Sequence, residues 1–165
     1  MALTLHSARP ATAGRDPKPG ERQMKVDQIK REMLAEHHLL RGLLDVVRGL
    51  AEKVAAQDVS LIPALRNGAI QLTQALIKHM DSEEMHLATL SRGGNAHWAR
   101  HLTEFKHQHV HQRSLLAHFI ERVESIHASK RLGEVVQAMV VAIRLDMEHE
   151  EKVLFSSAAV RATGT

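Results

Sequence analysis

The chain has 165 residues, which suits one domain with a sizeable core. It contains no cysteine, so disulfides, thiolate metal sites and cysteine nucleophiles are all excluded. The formal charge of +3 comes from scattered Lys and Arg, and aromatic residues make up only 2%, so neither a basic block nor stacking platforms point to nucleic acid.

Residues 1–20, "MALTLHSARPATAGRDPKPG", hold three of the four prolines and read as a flexible tail. The tail lacks the long apolar core of a secretion signal. Nowhere do about 18 apolar residues run together, so no membrane partner is expected and the location reads as cytoplasmic. Oligomeric state leaves no mark in the sequence.

Residues 21–160 read as one helical domain. Segment A, about Glu21 to Gln57, carries an apolar stripe of Val26, Ile29, Met33, Leu40, Leu44, Val47, Ala51 and Val54. "QDVSLIP" breaks it, with Ser60 as the N-cap of the next helix and Pro63 in its first turn. Segment B runs from about Leu61 to Ser91. "RGGN" ends it, and Asn95 caps the next. Segment C, Ala96 to about Ser129, aligns Trp98, Leu102, Phe105, Leu116, Ile120 and Val123. "SKRLGE" breaks again, and segment D runs from about Leu132 to Ala159. No segment alternates with period two. Four helices with short loops predict an all-α, antiparallel up-down four-helix bundle.

Segment B holds an anomaly. In "KHMDSEEMHL", residues 78–87, the positions His79, Glu83 and His86 share the stripe of Leu65, Leu72, Leu76 and Leu90. Unpaired charges are costly to bury, so this trio needs partners. The chain has thirteen histidines, against one Trp, three Phe and no Tyr.

An internal repeat suggests those partners. "HHLLRGLLDVV" from His37 aligns with "HVHQRSLLAHF" from His109 at an offset of 72. Arg41 then meets Arg113. "HMDSEEMHL" from His79 aligns with "DMEHEEKVL" from Asp146 at an offset of 67, so Glu83-Glu84 meets Glu150-Glu151. The chain thus reads as two similar helical hairpins. Each places a His on its first helix and a His/Asp-x-x-x-Glu on its second. A bundle core can gather these three histidines and three carboxylates, a donor set suited to two iron or manganese ions, with zinc as a further choice.

At these residues the chain resembles the hemerythrin-like family, the HHE cation-binding domains. The resemblance rests on "EHHLLRGLL", "HMDSEE", "HVHQRSLL" and "DMEHEEKVLF" and covers roughly residues 24–158. It implies a site for two non-haem irons, with His37, His79, Glu83, His109 and Glu150 as ligands. Asp146 stands where the family has a fourth-helix His. Family members bind oxygen, sense oxygen, nitric oxide or iron, or help repair damaged iron centres. Asp146 makes the site more anionic and manganese more competitive, and His149, one turn away, is an alternative ligand. His107 and His111 have the His-x-x-x-His spacing of the oxygen carriers, but helical phase turns them from the stripe and favours His109.

His86 has no counterpart in the repeat, and reads as a hydrogen-bonded core residue or an additional ligand. Glu84 and Glu151 lie off the centre of the stripe, solvated or paired with a neighbouring helix. His38, His97, His101, His118 and His127 read as surface or rim. Met33, Met80 and Met139 fill the core. Three functions remain open: a di-iron protein binding or sensing oxygen, nitric oxide or iron; a di-metal oxidase or peroxidase using the same ligands; and a metal-free scaffold. The absence of tyrosine excludes a tyrosyl radical.

Overall fold

The structure, a computed structural model, describes residues 19–92 and 95–155. Every regular element among these residues is helical: α1 (Pro19–Ala55), a 3-10 turn (Val59–Leu61), α2 (Ile62–Ser91), α3 (Ala96–Ser125) and α4 (Ser129–Phe155). They form the four-helix bundle that the apolar spacing predicts. All eight residues of the α1 stripe, from Val26 to Val54, are buried. Each Leu or Val taken fully from water contributes about 1.5–3 kcal/mol to folding, before entropy is counted.

The seams are unequal. α1 packs closely on α4 and on α2, and α2 on α3, while α3 and α4 meet at few points. Among the described residues no helix is long and apolar enough to cross a membrane.

The core divides in two. The larger part includes Leu40, Met80, Leu116 and Met147, and the smaller includes Met33, Leu87, Phe105 and Leu154. On each helix one member of each part flanks a buried polar residue. His37 lies between Met33 and Leu40, and Glu83 between Met80 and Leu87. His109 lies between Phe105 and Leu116, and Glu150 between Met147 and Leu154. A polar layer therefore crosses the bundle between two apolar ones.

Helix ends depart from the sequence reading where tertiary contacts intervene. Pro19 and Gly20, read as tail, begin α1. α1 stops at Ala55 because Gln57 adopts φ 75°, and the Asp58 and Gln57 amides return to the Lys53 and Val54 carbonyls, both at 3.0 Å. Ser60 does not cap α2; its hydroxyl donates to Asp58 at 2.6 Å, and Leu61 occupies the cap position without a side-chain bond. Asn95 does cap α3, accepting from the His97 and Trp98 amides at 3.0 and 3.4 Å. α3 ends at Ser125 instead of Ser129. Arg66 of α2 reaches across to donate to the Val123 and Ile126 carbonyls there, at 3.1 and 2.9 Å. α4 starts early, at Ser129, whose hydroxyl donates to the Gln57 side chain at 3.0 Å. The expected end of segment D at Ala159 lies outside the described residues, as do positions 1–18 of the tail.

One glycine is required by packing. A Cβ on Gly133 would stand 2.5 Å from the Ala51 carbonyl oxygen and 2.7 Å from the Ala55 Cβ, so the start of α4 crosses the end of α1 at backbone contact.

Candidate metal centre

The polar layer draws on all four helices. His37 comes from α1, His79 and Glu83 from α2, His109 from α3 and Glu150 from α4, and each is buried. Donor atoms of His37, His79, Glu83 and Glu150 all lie within 4.8 Å of one another, and this group can hold a metal ion. The Nε2 atoms of His37 and His79 are 2.9 Å apart. Glu83 Oε1 lies 3.8 Å from the first and 3.5 Å from the second, and Glu150 Oε2 lies 3.6 Å from His37 Nε2.

His109 stands on the other side of Glu83, its Nε2 3.3 Å from Oε2. Neither oxygen of Glu83, nor Nε2 of His109, makes a hydrogen bond, although all three are buried. One carboxylate thus faces two histidines with one oxygen and a third histidine with the other. Asp146 belongs to this second side, where its carboxyl feels the charges of Glu83 and His109 and accepts a hydrogen bond from Gln112. It is exposed to solvent.

Each of the three imidazoles is aimed from behind. Nδ1 of His37 meets Glu151 at 2.8 Å, Nδ1 of His109 meets Glu84 at 2.9 Å, and Nδ1 of His79 meets Glu36 at 2.9 Å. An ionised carboxylate only accepts, so each Nδ1 carries a hydrogen, and in the neutral ring that metal binding requires Nε2 turns a lone pair inward. These carboxylates are themselves anchored. Arg41 donates to Glu151 at 2.9 Å, Arg113 to Glu84 at 3.1 Å, and Ser82 to Glu36 at 2.8 Å. Buried histidine backed by a hydrogen-bonded carboxylate is the usual outer arrangement of metal-ligating imidazole.

The repeat is visible in these contacts. His37–Glu151–Arg41 and His109–Glu84–Arg113 are the same triad built twice, related by the two sequence offsets. Symmetry breaks at the remaining pair. Where the first hairpin has Glu36 behind His79, the offset of 72 puts Gln108 in the place of Glu36, and the offset of 67 puts Asp146 in the place of His79.

Charge in the layer favours cations. Burial would raise Glu83, but the imidazoles of His109 and His37 and the charges of His79 and His109 outweigh it and bring it down to about 2. Burial would lower His37 and His109, but Glu83 with Glu151, and Glu83 with Glu84, raise them. Glu150 has no such support; burial, then the charges of Glu83, Asp146 and Glu151, push it up to about 9. Asp146 is raised as well, by the packing around its carboxyl and then by the Glu83 charge. Without a metal, protons hold together what a cation would.

The other histidines lie apart. His86 Nε2 is 3.8 Å from Glu32 on α1, one turn beyond Glu83 and outside the four-residue group. His149 is exposed and acts on Asp146 only through its charge. His107 and His111 are exposed too, as are His38, His118 and His127, while His97 and His101 are half-buried beside Trp98. The sequence alone did not assign Glu36, Glu84 and Glu151 to the backing of the imidazoles. The recurrence of Arg41 and Arg113 one turn after His37 and His109 was the available signal.

A cavity of about 400 Å³ opens between α3 and α4 and reaches His79, Asp146 and Glu150. No family model matches the chain, and no curated protein or solved structure matches it either.

Proposed function

We propose that this chain is a non-haem di-metal protein of hemerythrin-like type, holding two iron ions in the polar layer and binding or sensing oxygen, nitric oxide or iron. The observation that carries this reading is the Glu83 carboxylate. It is fully buried, free of hydrogen bonds, and set with Oε1 toward His37 and His79 and Oε2 toward His109. A carboxylate so placed suits two ions, one on each side.

His37, His79, Glu83 and Glu150 would hold the first ion, and His109, Asp146 and the second oxygen of Glu83 the other. The mixed imidazole–carboxylate set fits iron, with manganese and zinc as competitors. Bound iron supplies redox-active open positions for a diatomic ligand. The chain's own residues fix the imidazole tautomers through Glu36, Glu84 and Glu151, and shield the layer with Met33, Leu87, Phe105 and Leu154 on one side and Leu40, Met80, Leu116 and Met147 on the other.

A second reading, a di-metal oxidase or peroxidase, is favoured by the cavity between α3 and α4, which gives a larger molecule a path to the layer. Metal analysis of protein produced with iron tests both. Two Fe per chain, with an absorption change on exposure to oxygen or nitric oxide, is the expected result. No metal under iron-replete conditions would leave a scaffold.

A further inference from the structure

The cavity between α3 and α4 has two chemically different ends. One end is aliphatic, walled by Leu76, Leu115, Leu116, Met139 and Ile143. The other is polar, lined by His79, Gln108, His111, Gln112, Asp146 and Glu150. Along α4 the lining runs from Met139 to Glu150, which spans about 16 Å at 1.5 Å per residue. At about 400 Å³ the space falls within the range that takes small organic ligands.

Both ends constrain the occupant. No Phe, Trp or Tyr lines the walls, and the methionines Met80, Met139 and Met147 can adapt to a flexible chain. A purely apolar molecule would strip water from Asp146 and Gln112 without replacing it. An anion would approach the carboxyl groups of Asp146 and Glu150. A hydroxyl both donates and accepts, so it matches the carboxylate of Asp146 and the neighbouring amides of Gln108 and Gln112. Entry is direct. Leu115 is 48% exposed at the mouth, and Ala142 on the facing side is also exposed.

We propose that this groove binds a neutral aliphatic alcohol, its chain between α3 and α4 and its hydroxyl at the Asp146 end, beside the metal centre. Asp146 is also a proposed ligand of the second ion. Without metal its carboxylate is open to the hydroxyl, and with metal the amides of Gln108 and Gln112 remain, so the site does not require the di-iron reading.

Methionine-methyl NMR tests this with octan-1-ol as the probe, on metal-free and on zinc-loaded protein. Saturable shifts of the Met80, Met139 and Met147 methyls in either form, with Met33 and Met85 still, are expected. Ala142→Phe fills the mouth from an exposed position and should weaken binding at least tenfold. Leu115→Glu should do the same if the larger ring perturbs the fold. Octanoate should bind at least tenfold more weakly than octan-1-ol. The proposal is overturned by an absence of shifts in both forms, by undiminished binding in both variants, or by octanoate binding as tightly. It is also overturned if the same methyls shift with protein concentration alone, which would make the groove a seat for a second copy of the chain. Zinc stoichiometry, measured on the same samples, reports on the metal centre separately.

Discussion

Nε2 of His37 and Nε2 of His79 approach to 2.9 Å across the α1–α2 seam, while both Nδ1 atoms are committed to carboxylates. Two neutral imidazoles so fixed would oppose lone pair to lone pair. The contact is sustained only by a positive charge between them, a proton or a metal ion.

That contact sorts the ligand variants. Glu83→Ala removes the one carboxylate facing both sides, so elemental analysis should find nearly all metal lost. His79→Ala should mainly empty the His37 side, and His127→Ala, at an exposed position, should keep full occupancy. Full occupancy in both core variants would contradict the assignment.

The backing carboxylates should matter without touching metal. Glu84→Gln and Glu151→Gln each weaken the hold on one imidazole's tautomer and orientation. Losses of about 10- to 100-fold in metal affinity are expected, read by competition with a chelator of known strength. Stoichiometry at saturating metal should be unchanged.

Acidity should govern loading. The Glu150 carboxyl is raised from 4.5 to about 9, so the metal-free fold holds this proton more tightly than the unfolded chain does. That contribution to stability is complete below the unfolded value and is lost as pH rises through about 9. Glu83 has the opposite sign. Lowered from 4.5 to about 2, its contribution is present above the unfolded value and is lost as pH falls toward 2. Metal binding near neutrality must therefore expel the Glu150 proton. Apparent affinity should rise about tenfold per pH unit for one proton released, and calorimetric heats should vary with the buffer's ionisation enthalpy. A flat profile between about pH 6 and 8 would show that no proton leaves.

Asp146 is where the second hairpin departs from the first. On the di-metal reading, Asp146→His should retain two metals and shift preference from manganese toward iron, because imidazole suits iron and the extra carboxylate suits manganese. His149→Ala should cost less metal than Asp146→Ala, since the Asp146 carboxyl feels the charges of Glu83 and His109 in the polar layer. Competition of the two metals for each variant measures both effects. If His149→Ala strips the metal and Asp146→Ala keeps it, the fourth-helix ligand is His149.

The crossing at Gly133 carries a stability prediction. Gly133→Ala drives a methyl into the Ala51 carbonyl and the Ala55 Cβ, so α1 and α4 must separate locally. Overpacking of this kind costs about 1–3 kcal/mol, visible as a lower thermal midpoint. The polar layer is separated from it along α4, so metal stoichiometry should stay the same.

The bundle was legible because Val, Leu and Met recur at helical spacing and nothing competes with that pattern. Its ends were not. Ser60 has the right chemistry for a cap but is drawn to Asp58, and α3 stops where Arg66 of another helix takes its carbonyls. The inward placement of His37, His79, Glu83 and Glu150 could be read from phase, since each interrupts an apolar stripe. The work of Glu84 and Glu151 could not. Each sits off the stripe of its own helix and acquires meaning only through a histidine on another. The unequal seams were also hidden, because an apolar stripe does not say which neighbour it will meet.

The sparse seam between α3 and α4 has a kinetic consequence. On the proposed assignment His109 on α3 and Asp146 on α4 would hold the same ion, which would act as a clasp across this loosely packed interface. Opening of this edge, and amide exchange along it, would then be slaved to ion departure. The lifetime of the bound ion would set how often the interior is visited by solvent.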